Sequence, residues 1–458
     1  MAGPRASQSN NNIYVILLLS ILIISSSIIT GLQALSLHYE VPLKISKIYA
    51  VKHTPSNTLL MASDSGIYYL NIDDGSFYEL PIKTIYDLEN ISEFQLVGVG
   101  ESSGKAHMLF FNQSGSTTSL KYLVSSALYD VVVVNDTIFS SGYVQVNSTY
   151  KGLINIINSN SFENYVIDCQ TSCFGRKLMV TEDHRRYLFG SIYTKGKTYQ
   201  WNYDVFIGIL GTNTLFGRSI GLEGNDYVVN SLYWNNSTYL LINSDLLGLH
   251  IAIIDSNSSI SIYKILVGGA SVIGNWATQY KDLLLIGVRE RSREGNGYLV
   301  LLNTTSLELT SYYLGSNSLE ASVSNEYIVF LNNSLDYGKT KISIYSFDDL
   351  FRYLRMFDTR SAVIISANAY ITDFEVVLNK YDLGFESSVD SSYPSLINIT
   401  IITTKYDVLN TSTYLEKPQY VLRSAESSWS RVSILILGLI LLLSSIILKF
   451  LMRLEVRE

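Results

Sequence analysis

The chain has 458 residues, 47% of them hydrophobic and 16% charged, with a net charge of −7. That length admits one large or two ordinary domains with a sizeable core, and the charged fraction lies well below the roughly 25% usual for a soluble globule. No Lys/Arg run is present to meet a phosphate backbone, so nucleic acid is excluded as a partner.

Residues 1–12 form a polar lead containing Arg5, read as a cytoplasmic segment or a signal n-region. Residues 13–31 open with "IYVILLLSILIISSSII", a run without charge. With its flanks it reaches the ~20 residues of a bilayer-spanning helix. The small residues of the following "GLQALS" also suit a cleaved signal peptide, and both readings stand.

From residue 35 to 358 the pattern is all-β. "LSLHYEVPL" (35–43) resembles an outer strand and is expected to close a ring. Then "YYLNIDDGSFYEL" (68–80) shows strand alternation, a break at Asp73-Asp74-Gly75 and a second strand, a β-hairpin. Six more hairpins follow, in residues 107–123, 153–167, 206–220, 252–266, 299–314 and 341–357. Their first turn residues are Asp73, Asn112, Asn158, Gly211, Asp255, Asn303 and Ser346, a period of roughly 45 residues, within the ~40–50 of propeller blades. Two further strands precede each hairpin, as in "KIYAVKHTPSNTLLMAS", and no long amphipathic helix interrupts them. The expectation is an all-β, seven-bladed β-propeller over 35–358, free of helix, with four strands (a to d) per blade. Eight blades is the alternative.

Several motifs inside this region have plain structural readings. "SDSGIYY" (63–69) is similar to the Asp-box of sialidase-like propellers, but position 62 is Ala and no other blade repeats it, so a turn is expected. "GESSG" (100–104) matches a nucleophile-elbow spacing, yet a strand follows it where that chemistry needs a helix. "EDHRRY" (182–187) reads as a solvated turn. Cys169 and Cys173 are the only cysteines and are expected to form a local disulfide, worth about 2 kcal/mol on loop entropy. The five histidines are scattered, with no metal-ligand spacing, so neither metal nor cofactor is expected.

Eleven Asn-x-Ser/Thr sites lie between the two apolar segments: Asn90, Asn112, Asn135, Asn147, Asn235, Asn236, Asn257, Asn303, Asn332, Asn398 and Asn410. Most fall at predicted a–b and c–d hairpin tips, on one face of the ring, and are read as N-glycosylation acceptors. The opposite face, carrying b–c and d–a connections, is then the barer one. It holds the long connection 194–203, the loop 289–297 and the segment around Trp276. Candidate binding residues there are Tyr199, Trp201, Tyr203, Trp276, Arg289, Arg291 and Arg293, of the aromatic and arginine types enriched at binding hot spots. No repeated acid, His or Arg position is visible in the blade pattern.

Residues 359–427 ("AVIISA", "AYITDFEVVLNKY", "LINITIITTKY") are also strand-like and are read as a β stalk or an extra blade, with preference for the stalk. Residues 432–451 form a second transmembrane helix, and 452–458 a cytoplasmic tail. Lys449 at the end of that helix and Arg453 and Arg457 after it give a positive-inside bias, which predicts that the bulk of the chain lies outside the cell membrane.

The stretch "ASDSGIYYLNIDDGSF", in which Gly66 opens a strand and Asp-Asp-Gly turns it, resembles the ligand-binding-type propeller repeats of sensor ectodomains. The wider chain resembles membrane-anchored, N-glycosylated β-propeller proteins of archaeal cell surfaces. The other blades lack the Gly66 equivalent. The resemblance implies a surface binding or scaffold module for a protein or glycan partner. Two alternatives remain: an extracellular propeller hydrolase or lyase acting on glycans or peptides, and an accessory subunit of a membrane complex. No catalytic residue is assigned, since fold alone does not fix function.

Overall fold

The computed structural model describes residues 35–405 except 42–44, 46, 55, 81–83, 93–94, 113–116, 160, 182–183, 196–200, 292–295, 316–319, 324–326, 334–339, 355–358, 391–394 and 398–399. Both apolar segments, 13–31 and 432–451, the termini 1–12 and 452–458, and residues 406–427 lie outside the described residues. Among the described residues no helix is long and apolar enough to cross a membrane. The chain divides into two compact units, His38–Thr400 and a second made of Met1–Leu37 with Ile401–Glu458. Of the second, only residues 35–37 and 401–405 are described, as strand ends. Everything below concerns the first.

That unit is nearly all β. Its strands follow one another as antiparallel four-strand meanders, a to d, at residues 48–80, 85–122, 126–167, 173–221, 226–267 and 270–315. A seventh group has three strands in sequence, Glu320–Val323, Tyr327–Asn333 and Thr340–Ser346, and the strand that holds residues 38–41 lies next to the last of them. Nearby, the Ile45 amide donates to Thr340 Oγ1 at 2.9 Å. The predicted hairpins in residues 68–80, 107–123, 153–167, 206–220, 252–266 and 299–314 are the c–d pairs of the first six meanders. Strand a of each meander lies beside strand a of the next, and that of the seventh beside that of the first.

Each b strand is covered on both faces, which is why it reads as an apolar run rather than an alternation. Leu240, Leu241 and Ile242 in succession are fully buried. The core is divided accordingly. One layer holds Val97, Met108, Leu128 and Leu153 between the second and third meanders, and another holds Leu241, Ile251, Leu284 and Val300 between the fifth and sixth.

Two expectations are corrected. The seventh hairpin, 341–357, does not return as a strand: Phe347–Leu354 is a helix, α1. Ser346 caps it, accepting the Asp349 amide at 3.2 Å and donating to the Asp349 carboxylate at 2.8 Å. Phe347, Leu350 and Leu354 then fall on one face and pack on Leu285, Leu299 and Phe330.

Residues 359–397, in turn, build neither a stalk nor an extra four-strand meander. They run backwards along the outer strands, each piece antiparallel to a d strand. Thr359–Arg360 pairs with the sixth meander and Ala362–Ser366 with the fifth. Tyr370–Lys380 pairs with the fourth and then the third. Phe385–Asp390 pairs with the second, and Ser395–Ile397 with the first. An unpaired d strand would present a row of open N–H and C=O groups; this strap occupies them.

Candidate functional site: an aromatic arc on the b–c face

Six of the described a strands carry a β-bulge at an equivalent place, opposite the end of strand b. The extra residues are Tyr49, Tyr86, Tyr129, Arg176, Val229 and Asn275. A bulge bends the strand and re-aims side chains. In the second to fourth meanders it is matched by a glycine on strand b. A Cβ on Gly100, Gly142 or Gly190 would stand 2.0, 1.9 or 2.0 Å from the carbonyl oxygen of Thr84, Ala127 or Phe174. Only glycine permits that approach.

The residue after the bulge ties its meander to the next. Asp87 accepts the Val131 amide at 3.1 Å, Asp130 accepts the Leu178 amide at 2.7 Å, and Asn230 donates to the Ala277 carbonyl at 2.6 Å. In the fourth meander this position is Lys177, which donates back to Asp130 at 2.5 Å. Burial pushes the Asp130 carboxyl up, against the pull of Lys177. A polar position is therefore repeated from blade-like unit to unit, where the sequence pattern shows none. It is polar because it faces a neighbouring backbone.

The bulge residues themselves start an arc of rings. Tyr49 and Tyr86 lie 5.0 Å apart, Tyr86 and Tyr129 5.3 Å, and Tyr129 and Tyr143 5.8 Å, all between centroids. The arc continues through Phe174, 5.5 Å from Tyr143, 5.4 Å from Tyr150 and 5.7 Å from Tyr203, which in turn lies 5.0 Å from Tyr193. These spacings suit favourable aromatic pairs. The Arg176 guanidinium lies 4.0 Å from the Tyr129 centroid and 5.9 Å from that of Phe174. Tyr227 stands near enough to feel its charge. All these residues lie at the start of an a or c strand or the end of a b strand, the edge with b–c and d–a connections.

Polar neighbours hold the arc. The Tyr86 hydroxyl donates to Glu101 at 3.5 Å. The Tyr203 amide donates to Asn225, whose own amides are held by Asp245 at 2.8 and 2.9 Å. Burial raises the Tyr86, Tyr129, Tyr203 and Tyr227 phenols, and that of Tyr143 to about 12. They are hydrogen-bond donors, not bases, at neutral pH. Cys169 and Cys173 form a disulfide in the d–a connection that leads directly into Phe174 and Arg176. Among the described residues no group of His, Cys, Asp or Glu could hold a metal ion.

The structure sorts the candidate residues. Tyr203 joins the arc. Trp276 does not: it is 7% exposed, in the core with Leu285 and Leu299, its indole nitrogen 2.1 Å from where a Cβ on Gly287 would stand. It follows the bulge and so points into the next meander. Arg289 is half-buried within strand b, with Nε unpartnered among the described residues. Arg291 is exposed in the b–c loop and donates to the Leu246 carbonyl at 2.5 Å. Tyr199 and Arg293 lie outside the described residues, as does the side chain of Trp201.

The glycosylation sites sort as well. Asn135, Asn147, Asn235 and Asn236 have φ of 48°, 48°, 49° and 59°. They begin or fill two-residue hairpins of type I′, where Asn is favoured for its tolerance of the left-handed region. Part of the excess of Asn-x-Ser/Thr is thus turn chemistry. Asn257 and Asn303 sit at c–d turns, where neighbouring amides of Ser258 and Leu307 bond back to Asp255 and Asn303. Asn90 ends an a strand. The side chains of Asn112 and Asn332, and all of Asn398 and Asn410, lie outside the described residues.

The sequence signal for the arc is short: "KIYAV", "TIYDL" and "ALYDV", an apolar–Tyr–small or acidic triplet at the head of three units. The four-strand repeat was read from its hairpins, which lie at the other end of each unit.

No family model matches the chain, and no curated protein matches it. Among solved structures it is similar to a 6-phosphogluconolactonase candidate from Bacteroides uniformis, at 9% identity and a TM-score of 0.37, covering 74% of this chain and 99% of that one. It is also similar to a chain of a mitotic checkpoint complex, at 10% identity and TM-score 0.41, covering 68% and 93%. A protein of unknown function from Dyadobacter fermentans gives 9% identity and 0.36, covering 67% and 99%. At those scores none bears on the activity of this chain.

Proposed function

We propose that this protein is a membrane-anchored binding module of the cell surface, a seven-bladed β-propeller whose docking face is the one with b–c and d–a connections. The cyclic order of the a strands supports the ring, and the pairing of residues 359–397 with the d strands speaks against an eighth blade built from them. The observation that carries the binding reading is the arc from Tyr49 to Tyr203 around Arg176, rings from four meanders gathered at one edge. Tyrosine supplies rigid area with a polar tip and little entropy to lose, the character of a recognition surface. Described Asn-x-Ser/Thr sites other than Asn147 and Asn332 lie toward the opposite face, and glycans there would leave most of this one open.

The test compares two faces. Tyr150→Ala removes an exposed ring of the arc, and Ile209→Ala removes an exposed apolar residue away from it. Capture of membrane partners should fall at least about tenfold for the first and be unchanged for the second. Equal capture by both variants, or glycans mapped equally to both faces, refutes the assignment.

A further inference from the structure

Resting on that reading, we infer that the arc is built for an anionic sugar, a uronic acid residue of an acidic glycan, with Arg176 meeting the carboxylate and the tyrosines meeting the ring. Arg176 carries the positive charge of the site. Among the described residues it has no carboxylate partner within ion-pair distance. It is held instead by stacking on Tyr129, 4.0 Å to the centroid. The Tyr129 hydroxyl takes one of its five N–H donors, and two parallel donors among the rest are what a carboxylate accepts.

Its surroundings suit the rest of such a ligand. Tyr150 is 38% exposed and Tyr227 40%, on the third and fifth meanders, to either side of the strand that carries Arg176. Their rings offer apolar faces to sugar C–H groups, and the phenol hydroxyls of Tyr129, Tyr143 and Tyr227 lie within reach of the guanidinium field. The protein carries a net charge of −7, so general attraction of anions is not at work. Selectivity must come from Arg176 and its aromatic frame.

The experiment is calorimetric titration of the full chain in detergent with sodium glucuronate, glucose and sodium acetate. Glucuronate should bind, glucose and acetate each at least about tenfold more weakly, since each keeps half of the contacts. Arg176→Gln should weaken glucuronate about 10- to 100-fold, the worth of charge-assisted hydrogen bonds, and leave glucose unaffected. Arg176→Lys should recover part of the loss. Equal binding of glucuronate and glucose overturns the role of Arg176, and equal binding of acetate overturns the sugar. No heat with glucuronate in wild type overturns the ligand class. If Tyr150→Ala still abolishes partner capture in that case, the binding face survives and only the acidic-glycan assignment falls.

Discussion

Asp130→Ala should be the most damaging polar substitution in the unit. The Asp130 side chain is 3% exposed and joins the innermost strands of the third and fourth meanders. One oxygen accepts the Leu178 amide at 2.7 Å and the other accepts Lys177 Nζ at 2.5 Å. Alanine leaves the Leu178 N–H buried without an acceptor, which costs about 1–3 kcal/mol. It also strands the Lys177 ammonium. Losing one member of a fully buried pair costs about 3–5 kcal/mol, but the Lys177 side chain is 30% exposed and water can reach it. The combined loss should therefore be about 2–4 kcal/mol. Asp130→Asn keeps an oxygen for the Leu178 amide and should lose about half as much. Urea unfolding followed by tryptophan fluorescence gives both values. A midpoint for Asp130→Ala within about 0.5 kcal/mol of wild type would show that the a strands hold together without this link.

Three other outcomes follow from the same geometry. Gly142→Ala should cost about 3 kcal/mol, since its Cβ would meet the Ala127 carbonyl oxygen at 1.9 Å, whereas Gly104→Ala, with nothing within 4 Å, should cost only its positive φ; comparable urea midpoints would refute the bulge–glycine fit. Burial pushes the Asp226 carboxyl up to about 7, so the folded chain holds a proton there that the unfolded chain releases near the ordinary 3.8; stability should fall as pH rises from about 4 to about 7. Asp226→Asn, which imitates the protonated form beside Asp204 and Asp245, should flatten that slope, and an unchanged slope would assign it elsewhere. Leu378→Asp puts a charge into the core between the third and fourth meanders and should detach the strap, read as faster amide exchange across Thr214–Gly221, while equal exchange would mean that the strap is held elsewhere.

The repeat was legible because hairpin tips follow strict turn chemistry. Asp73-Asp74-Gly75 and Asn235-Asn236 announce themselves by residues that accept left-handed or tight conformations. The helix α1 leaves a weaker trace: Ser346 as its N-cap, accepting the Asp349 amide, before Phe347, Leu350 and Leu354 at helical spacing. Its eight residues were absorbed into an apolar pattern that also suits a strand. The strap was not legible. Alternation in "AYITDFEVVLNKY" reports strand, but nothing local reports that it pairs with strands more than a hundred residues upstream. Trp276 misled because Trp on an exposed connection and Trp on a buried bulge read alike, and only the bulge decides its direction.

The bulge also explains why the site is one-sided. Where the extra residue is Tyr49, Tyr86, Tyr129 or Arg176, the next is Ala50, Asp87, Asp130 or Lys177, and the two consecutive side chains serve different neighbours. One joins the arc, and the other, when polar and long enough, reaches the next strand a. In the fifth and sixth meanders the extra residues are Val229 and Asn275, which add no ring. The tether persists in the fifth, through Asn230, and gives way to the buried Trp276 in the sixth, while neither keeps the aromatic member. Since the bulge is kept where the ring is lost, it serves the fold throughout, and the three tyrosines and Arg176 on four of its copies are an addition to that role. An addition confined to consecutive meanders produces a curved, off-centre surface with Arg176 near its end, open toward Tyr227, and a ligand bound there would lie along the arc rather than plug the middle of the ring.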